Sequence, residues 1–205
     1  MALSKIDVAN MLTGATPVAN GGTGLSSGTT NQFLKFTGST TIASTGAKNF
    51  EAVLTSDVSS KNNNTWYYLG YSTGFGTSES IDNGSMWDNS NGYFVAPDAG
   101  QYLFYIFNCC YGSSSHSSYD IGYCKLQKAD SGSTSFSDIS GYSSNPRSGN
   151  RSPDTTYITG AFKSVVSLTA GERIIFGVHA YAGGSQTNWQ WAKDGTYFGG
   201  IYLGD

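Results

Sequence analysis

An all-β fold, a sandwich or jelly roll, is what this sequence predicts, and three observations carry it. Glycine is 27 of 205 residues, about twice the ordinary ~7%, and Ser, Thr and Asn are abundant beside it. Tyr (14) and Phe (11) are numerous, and no segment sustains a helical apolar period. Apolar runs of strand length alternate with Gly-, Ser-, Asn- and Asp-rich turns, about eight of them beyond residue 49.

Residues 1–48 stand apart. The stretch "PVANGGTGLSSGTTNQFLKFTGSTTIASTGAK" is poor in bulky apolar residues, and its one firm cluster is Phe33, Leu34 and Phe36. Such a segment cannot bury enough apolar surface to fold alone. It is either a flexible linker or an extended, glycine-rich segment ordered by its neighbours, as a strand added to another protein or a braid of identical chains. Leu3, Ile6, Val8, Met11 and Leu12 suffice for a short anchoring element. Two regions follow, 1–48 and 49–205.

In the second region "FEAVLTS" opens as a strand or an arm. Residues 64–73 ("NTWYYLGYST") form a strand, and a loop spans 74–85. In "GYFVAPDAGQYLFYIF" a Tyr-Phe-Val strand stops at Pro97. Pro97 has no N–H and a fixed φ, and Gly100 admits a positive φ, so 97–100 is a turn. The strand after it puts Tyr102, Phe104 and Ile106 on one face and Leu103, Tyr105 and Phe107 on the other. Both faces are apolar, so both need cover. One is covered by a packed sheet, the other by more of the same chain or by a neighbouring subunit. "SYDIGYCKLQKA" alternates as a strand. A polar loop then spans 132–154, with a short edge strand near 136–139. A strand ends at Leu168, a turn covers 169–172, and "RIIFGVHAY" and "GTYFGGIYLGD" supply the last strands.

Charged residues are 12% of the chain and the net charge is −3. Nucleic-acid binding needs a basic face, which this composition does not supply. No run of ~20 apolar residues predicts membrane insertion, and the first residues lack the pattern of a secretion signal. The cysteines, Cys109, Cys110 and Cys124, are odd in number and read as reduced thiols. Cys109 and Cys110 are strand neighbours, so only one is expected inside.

No catalytic residue and no cofactor is predicted. His116 lies in the Ser-rich "YGSSSHSSYD" and reads as a solvated loop residue; His179, in "FGVHAY", reads as a strand-end residue at a rim. Cys109 or Cys110 with His116 and Cys124 lacks both a CxxC pair and the fourth ligand of a tetrahedral zinc site. No nucleophile-elbow motif is present. "DNGSMWDNSNG" lacks the spacing of a calcium loop and reads as turns closed by side-chain hydrogen bonds. Trp189 and Trp191 share one face of "TNWQWAKDG". Trp beside amides suits sugar stacking and equally a subunit interface. These two are the candidate receptor contacts.

Three segments resemble one family. In "GYFVAPDAGQYLFYIF" the residues Gly92, Phe94, Pro97, Gly100, Tyr102 and Phe104 are similar to the strand–turn–strand motif of the complement globular-head and tumour-necrosis-factor superfamily. "SVVSLTAGERIIFGV" resembles its Leu-x-Ala-Gly-Asp/Glu turn, and "YFGGIYLG" its closing strand. The resemblance covers residues 64–205. It implies a jelly-roll head that assembles as a homotrimer, with inner-sheet aromatics round a threefold axis. The interface residues it implies are Tyr102, Phe104, Tyr105, Phe107, Phe198 and Tyr202. The calcium ligands of some members have no matching carboxylate motif here, so no metal is placed.

The N-terminal segment resembles something else. Val18, Asn20, Gly21, Gly22, Thr23 and Gly24, followed by a Thr-x-x-Gln-Phe-Leu stretch, are similar to a segment of bacteriophage tail-fibre and other virion proteins. The expectation is therefore a non-enzymatic virion structural protein, made in the host cytoplasm: a short trimeric fibre or decoration knob, docked on other virion proteins through residues 1–48. The alternative is a receptor-binding fibre tip that recognises host surface glycan or protein through the loops at 74–85 and 132–154. A polysaccharide depolymerase ranks behind both.

Overall fold

The structure, a computed structural model, describes residues 33–38, 41–112, 120–144, 158–182 and 189–204. The chain divides between Ala47 and Lys48. On the N-terminal side, β1 (Phe33–Gly38) and β2 (Thr41–Thr45) form an antiparallel hairpin. Phe36 pairs with Ile42 and Leu34 with Ser44, so Leu34, Phe36 and Ile42 share a face. Leu34 and Phe36 are exposed. The anchoring positions 3–12 and the glycine motif at 18–24 lie outside the described residues.

The second unit is built of β3 (Asn49–Leu54), β4 (Val58–Lys61), β5 (Thr65–Tyr68), β6 (Thr77–Asn83), β7 (Trp87–Asp88), β8 (Tyr93–Val95), β9 (Gly100–Gly112), β10 (Asp120–Ala129), β11 (Ser137–Ser144), β12 (Ile158–Leu168), β13 (Arg173–Ala182), β14 (Trp189–Trp191) and β15 (Tyr197–Gly204). One sheet runs β12-β9-β15-β3-β6, with β14 and β4 continuing beside the far end of β9. The other runs β11-β10-β13-β8-β7, with β5 beside the second half of β13. All pairings are antiparallel. The fold is the all-β jelly-roll sandwich that composition and turn spacing predict.

The period of two explains the packing. On β9 the members of the first set, Tyr102, Phe104 and Ile106, are buried between the sheets. On β13 the matching set is Ile174, Phe176, Val178 and Ala180. Rings bridge the two sheets: Phe176 lies 4.7 Å from Phe198, Phe94 4.9 Å from Phe104, and Trp87 4.9 Å from Phe198. Full burial of such a ring contributes about 1.5–3 kcal/mol.

The turn after β8 also follows from its residues. Ala96 N–H donates to Glu172 O, and Gly171 N–H donates to Ala96 O. The Tyr102 hydroxyl donates to Asp98 O at 2.7 Å, and Lys48 pairs with Asp98. Gly100 has a φ of 144°, and a Cβ there would meet Gly204 O at 2.6 Å. The Asp-rich stretch closes its own turns, as expected: Asp82 accepts from the Met86 and Trp87 amides, and Asp88 from those of Ser90 and Asn91.

Three expectations are corrected. Residues 74–85 are not simply a loop, because β6 adds to the sheet edge there by pairing with β3. The edge strand β11 runs to Ser144, well beyond residue 139. Both Cys109 and Cys110 are buried. Their side chains do leave opposite faces, but the turn at Lys193–Gly195 covers Cys109, whose Sγ lies 2.9 Å from where a Gly195 Cβ would stand.

Candidate functional site

The outer face of the first sheet is laid out by register. Three rows cross β12, β9, β15 and β3: Ala161–Phe107–Tyr197–Val53, Lys163–Tyr105–Gly199–Glu51 and Val165–Leu103–Ile201–Asn49. Leu203 continues the face along β15. Val165 is 42% exposed, Ile201 39% and Leu203 53%, while Leu103, Tyr105 and Phe107 are half-buried. Neighbouring apolar side chains exposed together on a sheet face make a candidate binding surface.

Its few polar groups are arranged among themselves. The Tyr105 hydroxyl donates to Glu51 Oε2 at 3.0 Å, and Ser80 Oγ donates to Glu51 Oε1 at 3.0 Å. Burial, then the hydrogen bond to Glu51, push the Tyr105 phenol above its ordinary range. The ring lies flat only because residue 199 is glycine: a Cβ there would meet Tyr105 Oη at 2.4 Å and Phe50 O at 2.4 Å. Phe107 stacks on Tyr197 at 5.1 Å and 12°. Beside this pair, over Ala161 and Lys163, is a depression of about 330 Å³.

Of the sequence-predicted interface residues, Tyr105 and Phe107 sit on this outer face. Tyr102, Phe104 and Phe198 do not: each is 0% exposed, inside its own subunit's core. Alternation shows which residues share a face, and here the set holding Tyr102 and Phe104 turned inward. Tyr202 is half-buried, packs 5.1 Å from Tyr102 and donates its hydroxyl to Ala99 O. Val165, Ile201 and Leu203 share this outer face without being singled out in the sequence; the register of β9 with its neighbours places them there, and no local pattern does.

Trp189 and Trp191 are likewise corrected. Both are 0% exposed, so neither is a surface for a receptor. β14 is clamped between β4 and β9. Trp191 packs edge-on against Phe75 and Tyr67 at 5.4 and 5.8 Å, and Trp189 Nε1 donates to Asn63 Oδ1 at 3.1 Å.

The outer face of the second sheet carries a different surface. Trp66 on β5, His179 on β13 and Tyr123 on β10 are aligned in one cross-strand row. With Asn64 and Tyr181 they line a second depression of about 330 Å³. His179 is not at a rim: it is 6% exposed and paired on both sides. Its Nε2 lies 3.2 Å from Asn64 Oδ1. Burial lowers the imidazole pKa below its usual value; the Asn64 contact opposes this and the Lys125 charge adds to it.

Among the described residues no group of three or more His, Cys, Asp or Glu is placed to hold a metal ion. Cys109, Cys110 and Cys124 are free thiols, and burial pushes that of Cys124 up to about 12, which suits an inert packing role. Glu172 serves the turn before β13. Burial works against its charge, but hydrogen bonds from Lys128 and the Thr169 amide outweigh it and hold the carboxyl below its usual range. His116 lies outside the described residues.

No protein-family model and no curated protein matches this sequence. The fold is similar to solved structures. The Eiger TNF of S. frugiperda aligns with a TM-score of 0.52 at 12% identity, over 78% of this chain and 94% of that one. The globular domain of zebrafish complement 1qA aligns at 0.46 and 13% identity, over 77% and 97%. Murine APRIL aligns at 0.49 and 14% identity, over 77% and 99%. The likeness to Eiger TNF establishes the fold of the head.

Proposed function

We propose that the head closes on two further copies of itself through the outer face of the first sheet, and that the trimer is a non-enzymatic structural element of a bacteriophage virion. The observation that carries the assembly is the three-row face, where Leu103, Phe107, Val165, Tyr197, Ile201 and Leu203 meet solvent with two charged neighbours, Lys163 and Glu51. A single copy leaves that face uncovered. Obligate interfaces of this kind bury about 2,000–5,000 Å². The virion role is supported by the Val18-to-Gly24 segment and by a hairpin that presents Leu34 and Phe36 on its surface. In this reading residues 1–48 dock on other virion proteins, and the head projects as a short fibre or decoration knob.

Sedimentation of the full chain at nanomolar concentration tests the assembly; a trimer is expected, and a monomer counts against it. Electron microscopy of intact particles with a labelled antibody to the head tests the location, with labelled projections expected and unlabelled particles overturning it.

A further inference from the structure

The second depression is not used by the assembly reading and lies on the other sheet. We propose that it binds an uncharged pyranose unit of a glycan, packed against Trp66 and Tyr123 over a floor made by His179. The site goes beyond the virion role, because a monomeric head carries it equally.

The row is built for rings to stay open at the surface. The outer face of a solvated antiparallel sheet ordinarily carries polar side chains. Here Trp66 lies 5.0 Å from His179 and Tyr123 5.2 Å, the former tilted by 37° and the latter by 72°. Two half-buried rings thus flank a third that is almost wholly buried. The arrangement is held from below. Gly177 has no side chain, and a Cβ there would meet Lys125 Cγ at 3.0 Å, Tyr68 Cε1 at 3.1 Å and Trp66 Cε3 at 3.3 Å. That gap lets Trp66 settle on the sheet.

Polar groups converge at the rim, as ligand pockets require. Asn64 takes a φ of 56° and donates its backbone N–H to Ala180 O. Its Oδ1 lies 3.2 Å from His179 Nε2, and since the residue is exposed its amide N–H groups are donors open to a ligand. The Tyr123 hydroxyl supplies a second group. His179 Nδ1 has no partner among the described residues. A buried nitrogen without a bond costs stability, and packing alone would be served better by Phe.

Charge selects the ligand class. An aromatic box also suits a quaternary ammonium, but none of the described residues that line this one is a carboxylate. Lys125 Nζ already stands 4.4 Å over the Trp66 ring and occupies the place on that ring that a ligand cation would take. That lysine is paired with Asp138 at 2.7 Å, so among the described residues of the lining no unpaired cation favours an acidic sugar. Uncharged sugars present C–H faces to rings and hydroxyls to amides, and that chemistry is what the site offers.

Trp66 provides the probe, since Trp87, Trp189 and Trp191 are buried. The intact protein is titrated with neutral mono- and oligosaccharides of glucose, galactose and N-acetylglucosamine, with sialic acid and choline as charged probes, and tryptophan emission is followed. A saturable change at millimolar neutral sugar, absent with choline and sialic acid, is expected. Tyr123→Ala should weaken it about tenfold, one stacking contact's worth. Asn64→Gly keeps the left-handed backbone comfortable and should weaken it too, with melting temperature and circular dichroism reporting that each variant is folded. No saturable change with any neutral sugar overturns the proposal, as does equal affinity in both folded variants or choline or sialic acid binding as well as sugar.

Discussion

The two outer faces of the sandwich invite comparison, because β9 and β13 are central in their sheets and both turn rings outward. On the first face the exposed side chains are mostly aliphatic, and Tyr105, Glu51 and Ser80 bond to one another beside the exposed Lys163. On the second, rings that carry N–H and O–H groups line a cavity together with Asn64. Exposed apolar area is common to both, so area alone does not assign a role. The placement of the polar groups does. In the proposed assembly, a face whose tyrosine, glutamate and serine bond to one another meets a matching apolar surface on an identical copy. A concave face with the buried His179 Nδ1 unpartnered among the described residues fits a small polar ligand.

The largest effect that separates the faces is on assembly. Ile201→Asp places a carboxylate in the middle of the apolar face, beside Leu103. Ile201 is 39% exposed, so the lone subunit should lose no more than about 0.5 kcal/mol. Three such charges brought together round an axis cost several kcal/mol. Analytical ultracentrifugation should show the oligomer replaced by monomer with an unchanged circular dichroism spectrum. Tyr123→Ala, on the other face, should leave the oligomer intact. An Ile201→Asp protein that sediments like wild type breaks the comparison at its root.

How far the sequence carried can be seen along β9. Alternation separates Tyr102, Phe104 and Ile106 from Leu103, Tyr105 and Phe107 correctly, and the Pro97–Gly100 turn is plain from the chemistry of those two residues. A period of two does not say which set turns inward, so Tyr102 and Phe104 were candidates for an interface when they are core. Trp189 and Trp191 failed for another reason. Their neighbours Asn188 and Gln190 look like surface, but burial comes from β4, more than 120 residues earlier in the chain. The Trp66–His179–Tyr123 row was illegible too, since each member belongs to a different strand and only register aligns them. The Leu-Thr-Ala-Gly-Glu turn, by contrast, is local, and Glu172 bonds the Thr169 amide at 2.8 Å as its position demands.

A smaller effect compares the glycine beneath each face. At Gly199 the atoms in the way include Phe50 O, which belongs to a paired strand and cannot yield. Gly199→Ala should therefore cost about 1–3 kcal/mol in urea unfolding, the usual penalty for overpacking, and should also weaken assembly by displacing Tyr105. At Gly177 the obstructing atoms all belong to side chains, at 3.0–3.3 Å. Gly177→Ala should cost less, about 1 kcal/mol, and should register in sugar binding by moving Trp66. Equal costs at the two sites would mean that the first face tolerates displacement of its rings as well as the second.

The smallest effect is one of pH, and it belongs to the second face alone. The groups around His179 are Trp66 and Asn64 from the β5 side, Tyr123 and Lys125 from β10, and Tyr181 on its own strand. Lys125 carries the one charge among them and is tied to Asp138. Burial first, and that positive charge as well, hold the folded imidazole below its value of about 6.5 in the unfolded chain. Between the two values the unfolded chain binds more protons than the folded one. Stability is then complete above about pH 6.5 and falls as pH drops toward the folded value. Carboxylates such as Glu172 are lost from the balance only lower, through their own depressed range. His179→Phe should remove the upper part of this slope and leave the oligomer unchanged, because His179 lies on the second sheet and not on the first face. Denaturant unfolding of both proteins at about pH 7 and pH 5.5 measures it; an identical fall in the Phe variant assigns the slope to some other group.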